Sequence, residues 1–387
     1  MSQDPVSVLF WLLAAAWVVF TLNRIRALFA VPVLRSLESL GGPAQPLPKV
    51  SVIVAARNEE ARIRRTVLDL IRQVGVDVEV LVADDRSTDG TAELLQSLSE
   101  LHDRLKVIRI DELPEGWLGK PHACHVAAQQ ARGDWLLFSD ADVWMASDVL
   151  ARAVRVASDE GADHLCLFPG EHRPSLLGKA VMLWMTVVFL PLSARLNRDK
   201  PRSFLGIGAF NLVRAEAYRA VGGHEPLRFE VIDDVKLGLL LARAGCRSRV
   251  RDANREIEVD WAGNVVRLFH VVEKNMFALI GFRVSLAALG VVIPGAVWLV
   301  SVLAPLSGTP AGLTLGAAVA SMMVPGAWVA RRMGWGPWPV LLSPLMAPIP
   351  LAALAHSTWT TLRNGGIRWR ETFYSLDDLR RGRFPWR

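Results

Sequence analysis

"EVLVADDRSTDGTAELL", residues 79–95, runs from apolar residues into two adjacent aspartates, Asp84 and Asp85, and then into a helix-like pattern. The run is short and rich in β-branched residues, and Asp89, Gly90 and Thr91 are turn and helix-start residues. A strand that ends in carboxylates and hands over to a helix is a building unit of α/β folds. Two further stretches carry the same signature. "LLFSDADVWM" (136–145) delivers Asp140 and Asp142, and "FEVIDDVKLGLLL" (229–241) delivers Asp233 and Asp234.

Outward from there, strands and helices alternate. "KVSVIVAA" (49–56), "DVEVLVA" (77–83), "LKVIRI" (105–110) and "DWLLFSD" (134–140) read as buried strands. "NEEARIRRTVLDLIRQ" (58–73), "GTAELLQSLSEL" (90–101) and "KPHACHVAAQQA" (120–131) read as helices, the first with apolar residues at Ile63, Val67, Leu70 and Ile71. The order predicts a mostly parallel, doubly wound α/β sheet. Ligands of such sheets bind at the carboxyl ends of strands, where Asp84, Asp85, Asp140 and Asp142 lie.

The 387-residue chain is 51% hydrophobic yet 21% charged, with a formal charge of +6. That mixture predicts a soluble domain joined to membrane segments. The basic residues are spread along the chain without an aromatic-rich basic motif, which argues against nucleic acid and fits a cytoplasmic membrane face. Cys124, Cys166 and Cys246 stand far apart and predict buried free thiols, neither disulfides nor a zinc site.

"VSVLFWLLAAAWVVFTL" (6–22) is nearly a bilayer span, with Asp4 before it and Arg24, Arg26 and Arg35 after it. This predicts an uncleaved anchor with the following chain in the cytosol. "SLLGKAVMLWMTVVFLPLSARL" (175–196) is too apolar for a surface helix and is read as lying in the interface, with spanning as the alternative. "NVVRLFHVVEKNMFALIGFR" (264–283) reads as an interfacial helix. "VSLAALGVVIPGAVWLVSVLA" (284–304) and "AGLTLGAAVASMMVPGAWVA" (311–330) read as spans. The segment 338–362 is apolar but carries prolines at 339, 344, 348 and 350, as a re-entrant hairpin would. The expected blocks are therefore an anchor and linker (1–44), an α/β domain (45–260), an interfacial helix and spans (261–362), and a basic cytosolic tail (363–387). The whole is a multi-pass protein of the cell membrane.

Paired aspartates at a strand end can be turn residues or helix caps. Three pairs are harder to read so, because clustered carboxylates repel unless a cation sits among them. In "DAD", Asp140 and Asp142 can reach one ion, and hard oxygen ligands suit Mg²⁺ or Mn²⁺. Asp84 and Asp85 are placed to accept hydrogen bonds from a nucleoside. Arg57 and Glu59 of "AARNEE" (55–60) could line the same crevice, and Lys120 at a helix start is placed for a diphosphate or is a solvated surface lysine.

"VSVIVAARNEE", "VLVADDRSTDGT", "GWLGK", "LLFSDADV" and "IDDVKLGLLLARAG" together resemble the family 2 glycosyltransferases of GT-A fold, in family order over roughly residues 50–250. The resemblance implies a nucleotide-sugar donor, a divalent metal and inverting transfer. It implies contact of Asp85 with uracil or ribose, Asp142 on the metal with Asp140 beside it, and Asp234 as general base with Asp233 its neighbour. The family often has proline where this chain has Ala55. The membrane layout resembles lipid-glycosylating members of the diaponeurosporenoate, hopanoid-associated and ceramide types, which implies a lipid acceptor at the cytosolic face. Processive polysaccharide synthases usually carry QxxRW, and "GGIRW" has Gly365 in the glutamine's place. Trp369 and Arg370 either cap the donor site or anchor the chain at the interface. The alternatives kept open are a processive synthase and an inactive sugar-nucleotide-binding membrane protein.

Overall fold

The computed structural model describes residues 4–42, 46–261, 263–369 and 371–386. The chain divides into two compact units. One comprises 31–172, 195–261 and 377–387; the other comprises 1–30, 173–194 and 262–376. The first unit thus begins before the expected boundary at 45, gives up 173–194 and takes in 377–387.

The first unit is built on β1 (Lys49–Ala56), β2 (Asp77–Asp85), β3 (Leu105–Ile110), β4 (Trp135–Asp140), β6 (His164–Phe168), β8 (Asn211–Arg214) and β9 (Ser248–Asp252). Between them, β5 (Val143–Met145), β7 (Gly170–Glu171) and β10 (Ile257–Val259) form a small separate sheet in the order β5-β10-β7. The main sheet has the order β3-β2-β1-β4-β8-β6-β9. Its β1–β2, β1–β4, β2–β3 and β6–β9 pairs are parallel, while β8 runs antiparallel to both neighbours.

Alternation along the strands fills two cores. Val50, Val52 and Val54 of β1, Val80 and Val82 of β2 and Leu137 of β4 face one side with Ile63, Val67, Leu70 and Leu95. Ile53, Leu81, Ala83, Leu136 and Phe138 face the other side with Ala123, Ala127, Leu237 and Leu241. Because successive side chains of a strand point to opposite faces, a strand apolar at every position must be covered by helices on both faces. Cys124 and Cys166 are buried free thiols as expected, but Cys246 is only half-buried.

The second unit is largely helical. Helices Pro5–Leu28, Leu176–Asn197, Val284–Ser307 and Pro310–Arg332 are long and apolar enough to cross a membrane. The last of these is interrupted, at 321–322, between Pro310–Ala320 and Met323–Arg332. Pro337–Leu345 and Pro348–Asn364 meet at a 55° bend, the geometry of a broken span or a re-entrant loop, as the prolines predict. Trp17 donates to Ser301 Oγ at 2.9 Å, and the hydroxyls of Thr21 and Ser321 pair at 2.9 Å. Pairing of this kind satisfies polar atoms that lipid cannot. The interfacial reading of 264–283 corresponds to helix Val265–Leu279, capped by Asn264 Oδ1, which accepts from Arg267 N at 2.9 Å. Hairpin strands β11 (Gly366–Trp369) and β12 (Thr372–Ser375) follow the bent pair.

Candidate active site

The register of the parallel strands levels their carboxyl ends: Ala55 stands beside Asp140 and Ala56 beside Asp84. Asp84 is buried, with one oxygen 3.7 Å from the Arg109 guanidinium of the neighbouring strand. Its Oδ1 is also buried and has no hydrogen-bond partner among the described residues, a costly state for a carboxylate unless a ligand supplies a donor. Asp85 receives the fork of Arg86 at 2.8 and 3.0 Å, with an Arg57 nitrogen at 4.0 Å. Gly119 opens the "GKPH" helix against Asp85; a Cβ there would lie 2.4 Å from Asp85 Oδ2.

Two non-glycine residues after these strand ends, Asn58 (φ 54°) and Arg86 (φ 56°), adopt left-handed backbone conformations. Such strain survives only where surrounding bonds hold it, and it clusters at functional loops. Here Asn58 Oδ1 accepts from Thr88 N at 2.7 Å, Asn58 N donates to Ser87 Oγ at 3.0 Å, and Glu59 N donates to Thr91 Oγ1 at 2.8 Å. The loops after β1 and β2 are thereby clipped together.

The acidic residues after β4 and in the "IDD" motif converge. Lys120 Nζ donates to Asp140 Oδ1 at 2.6 Å and lies 3.8 Å from Asp233. Burial pulls the Lys120 ammonium down, but Asp140, Asp233 and Asp234 together hold its pKa well above the usual lysine value. Lys120 is therefore an internal counter-ion of this cluster and not a surface lysine. A Cβ on Gly208 would lie 2.6 Å from Asp140 Oδ2 and 3.3 Å from Asp234 Oδ2, so both carboxylates meet at this glycine. On the far side, Asp233 Oδ2 is 3.7 Å from His224 Nε2, and His224 Nδ1 is 2.8 Å from the Tyr218 hydroxyl.

Charge in the cluster exceeds its compensation. Asp142 is pushed up to about 7 by burial and by the carboxylates of Asp140 and Glu59, against the opposing pull of Arg62. Arg62 is itself engaged by Asp260 at 2.8 Å and by Glu59 at 3.4 Å. Asp234 is pushed up to about 6 by burial first, then by Asp233 and Asp140, with Lys120 opposing. The helix terminus alone predicts the opposite direction. Burial and like charge outweigh it, yet a carboxyl with a pKa near 6 is still mostly ionised at neutral pH.

Sequence reading missed the glycines that permit this packing. A Cβ on Gly206 would fall 1.7 Å from the Asp234 carbonyl oxygen, and one on Gly238 would fall 1.9 Å from that of Leu205. The loop before β8 and the Asp233–Arg243 helix thus touch backbone to backbone. "GIG" (206–208) is the signal that would have found it. Gly206→Ala is expected to cost more than about 2 kcal/mol, because backbone must move; an unchanged Tm would contradict the close approach. Of the remaining expected residues, Trp369 lies on β11 in the other unit, with the Lys274 ammonium 3.7 Å from its ring centroid. Arg370 lies outside the described residues.

Residues 51–222 match the family model described as glycosyl transferase family 2. The chain is 29% identical over 203 residues to a 4,4'-diaponeurosporenoate glycosyltransferase of Staphylococcus haemolyticus, covering 50% of this chain and 52% of the relative. It is 29% identical over 193 residues to the Staphylococcus aureus protein of the same name, covering 49% and 50%. The chain thus spans about half the length of the curated relatives it matches. Among solved structures it is similar to the mannosyltransferase PcManGT from Pyrobaculum calidifontis in complex with GDP-Man and Mn²⁺, with a TM-score of 0.55 at 19% identity over 93% of this chain and 99% of that one. Mostly parallel sheet, strand-end carboxylates and family match agree: residues 51–222 match a family 2 glycosyltransferase domain, and they lie on a sheet of GT-A fold.

Proposed function

We propose that the protein transfers a sugar, with inversion, from a nucleotide-sugar donor to a lipid acceptor at the cytosolic face of the cell membrane. The observation that carries this is the convergence of Asp140 and Asp234 at Gly208, with Lys120 between Asp140 and Asp233. One carboxylate of this set serves the donor side and one serves the acceptor side. The match to glycosyltransferases named for a carotenoid acid supports an acceptor of lipid character.

The residues present fit a divalent cation. Asp142 is driven up first by burial and then by the carboxylates of Asp140 and Glu59, while Arg62 is shared with Asp260, and an added cation would relieve the repulsive part. Asp142, with Asp140 beside it, would hold Mn²⁺ or Mg²⁺, which when bound offsets the charge developing on a leaving diphosphate. Asp84 and Asp85 accept hydrogen bonds from the base and ribose. Arg57 and Glu59 line the same crevice. Lys120 orients Asp140 through its 2.6 Å hydrogen bond. Asp234 takes the proton of the acceptor hydroxyl or carboxyl at a carboxylate oxygen as the acceptor oxygen attacks the sugar. Asp233, braced by His224, helps hold its neighbour.

The test is stereochemical. Transfer from an α-linked nucleotide sugar should give a β-linked glycolipid, read from the anomeric proton coupling of the product. An α-linked product would contradict single displacement. We also propose that 363–387 is cytosolic, so a cysteine placed at Ser375 should resist an impermeant reagent added outside intact cells. Labelling from outside would contradict that topology.

A further inference from the structure

Lys236 follows the candidate base by two residues on the Asp233–Arg243 helix, and its side chain is among the largest that are fully buried. A buried ammonium is costly unless its donors are satisfied. Most of its partners come from a segment some 150 residues away. Its Nζ donates to the Phe384 carbonyl at 2.6 Å and lies 3.5 Å from the centroid of the Trp386 ring, with Glu230 at 3.7 Å. Glu230 in turn accepts from Phe384 N. At the other end of the helix, Arg243 donates to the Pro385 carbonyl at 2.8 Å and stacks on the Phe384 ring at 4.6 Å. The "FPW" segment therefore grips the helix from its first turn to its last.

The grip reaches the second element that holds Asp234. The Trp386 ring lies 5.9 Å from that of Phe204, at the head of the loop whose Gly206 and Gly208 pack against Asp234. One tryptophan thus touches the base helix through Lys236 and the glycine loop through Phe204. The segment lies over the Lys236–Glu230 pair, where burial pulls Lys236 down to about 8 and pushes Glu230 up to about 7 against their mutual attraction.

We infer that residues 384–386 form a latch that positions Asp234, with Lys236 and Trp386 as its positioning residues. This inference rests on the reading of Asp234 as the base. The latch acts on geometry, not on donor binding, because its contacts lie on the base helix and not on the strand ends of β1 and β2.

The test uses the full chain with Trp386→Ala, Trp386→Phe and Lys236→Arg. Trp386→Ala should lower kcat roughly ten- to a hundredfold with donor KM within about twofold, the scale expected when a reacting group is displaced by about 1 Å. Trp386→Phe keeps an aromatic face for the ammonium, and Lys236→Arg keeps the cation; each should restore part of the rate. Hydrogen exchange of amides 233–243 and 204–210 should speed up in Trp386→Ala while that of β1 and β2 stays unchanged. A wild-type kcat in Trp386→Ala, or a matching loss of kcat and donor binding with a lower Tm, would overturn the latch. If the unaltered protein transfers no sugar at all, the reading of the base fails separately, and the exchange arm still decides the latch: unchanged protection overturns it.

Discussion

Replacing Asp234 by Asn lowers sugar transfer by a factor on the order of 10² to 10⁴, while donor nucleotide still binds. The substitution keeps the shape of the side chain but removes the oxygen that takes a proton. It is not expected to lower Tm. The folded pKa of about 6 lies above the ordinary aspartate value because burial and like charge disfavour the ionised form. For such a group stability falls as pH rises from the unfolded toward the folded pKa, so at neutral pH the charge weakens the fold and its loss does not. The rate has the opposite dependence. Only the ionised form accepts a proton, so kcat should fall as pH drops through about 6 and hold above it. Near wild-type turnover in Asp234→Asn together with inactive Asp233→Asn would exchange the two roles. Activity in both would remove the base mechanism altogether.

Chelation of divalent cations is expected to abolish turnover, and Asp142→Ala to do the same in the presence of Mn²⁺. Loss of the ion removes several kcal/mol of leaving-group stabilisation. Lys120 is already committed to Asp140 and Asp233, and Arg62 to Asp260 and Glu59. Asp142 is pushed up to about 7 in the fold, so its removal should leave Tm at neutral pH unchanged or higher. Full activity in EDTA, or an Asp142→Ala protein that turns over normally, would contradict the assignment.

The parts of the fold visible in the sequence are those encoded locally. β1, β2 and β4 are apolar at nearly every position because both faces are covered, and the runs betray them without any partner. The reversed β8 was not visible. "NLVR" is four residues long, and its direction is set by register with β4 and β6, not by its own composition. The carboxylate pairs were legible because aspartate after an apolar run is conspicuous. Their compensation was not, since Lys120 meets Asp140 and Asp233 only once the fold brings distant helices together. "GRFPWR" is the extreme case. It reads only as part of a basic cytosolic tail, while its partners Glu230, Lys236 and Arg243 stand about 140 to 150 positions earlier.

The central claim is that the carboxylate cluster moves sugar from a nucleotide to a lipid. Its most direct test is to incubate the purified full chain with Mn²⁺ and a panel of nucleotide sugars, with and without membrane lipid extract, and to measure nucleoside diphosphate released. The account predicts release from at least one donor that rises sharply with lipid, is lost in Asp234→Asn and is lost in EDTA. Release that ignores lipid, or survives in Asp234→Asn, would contradict it.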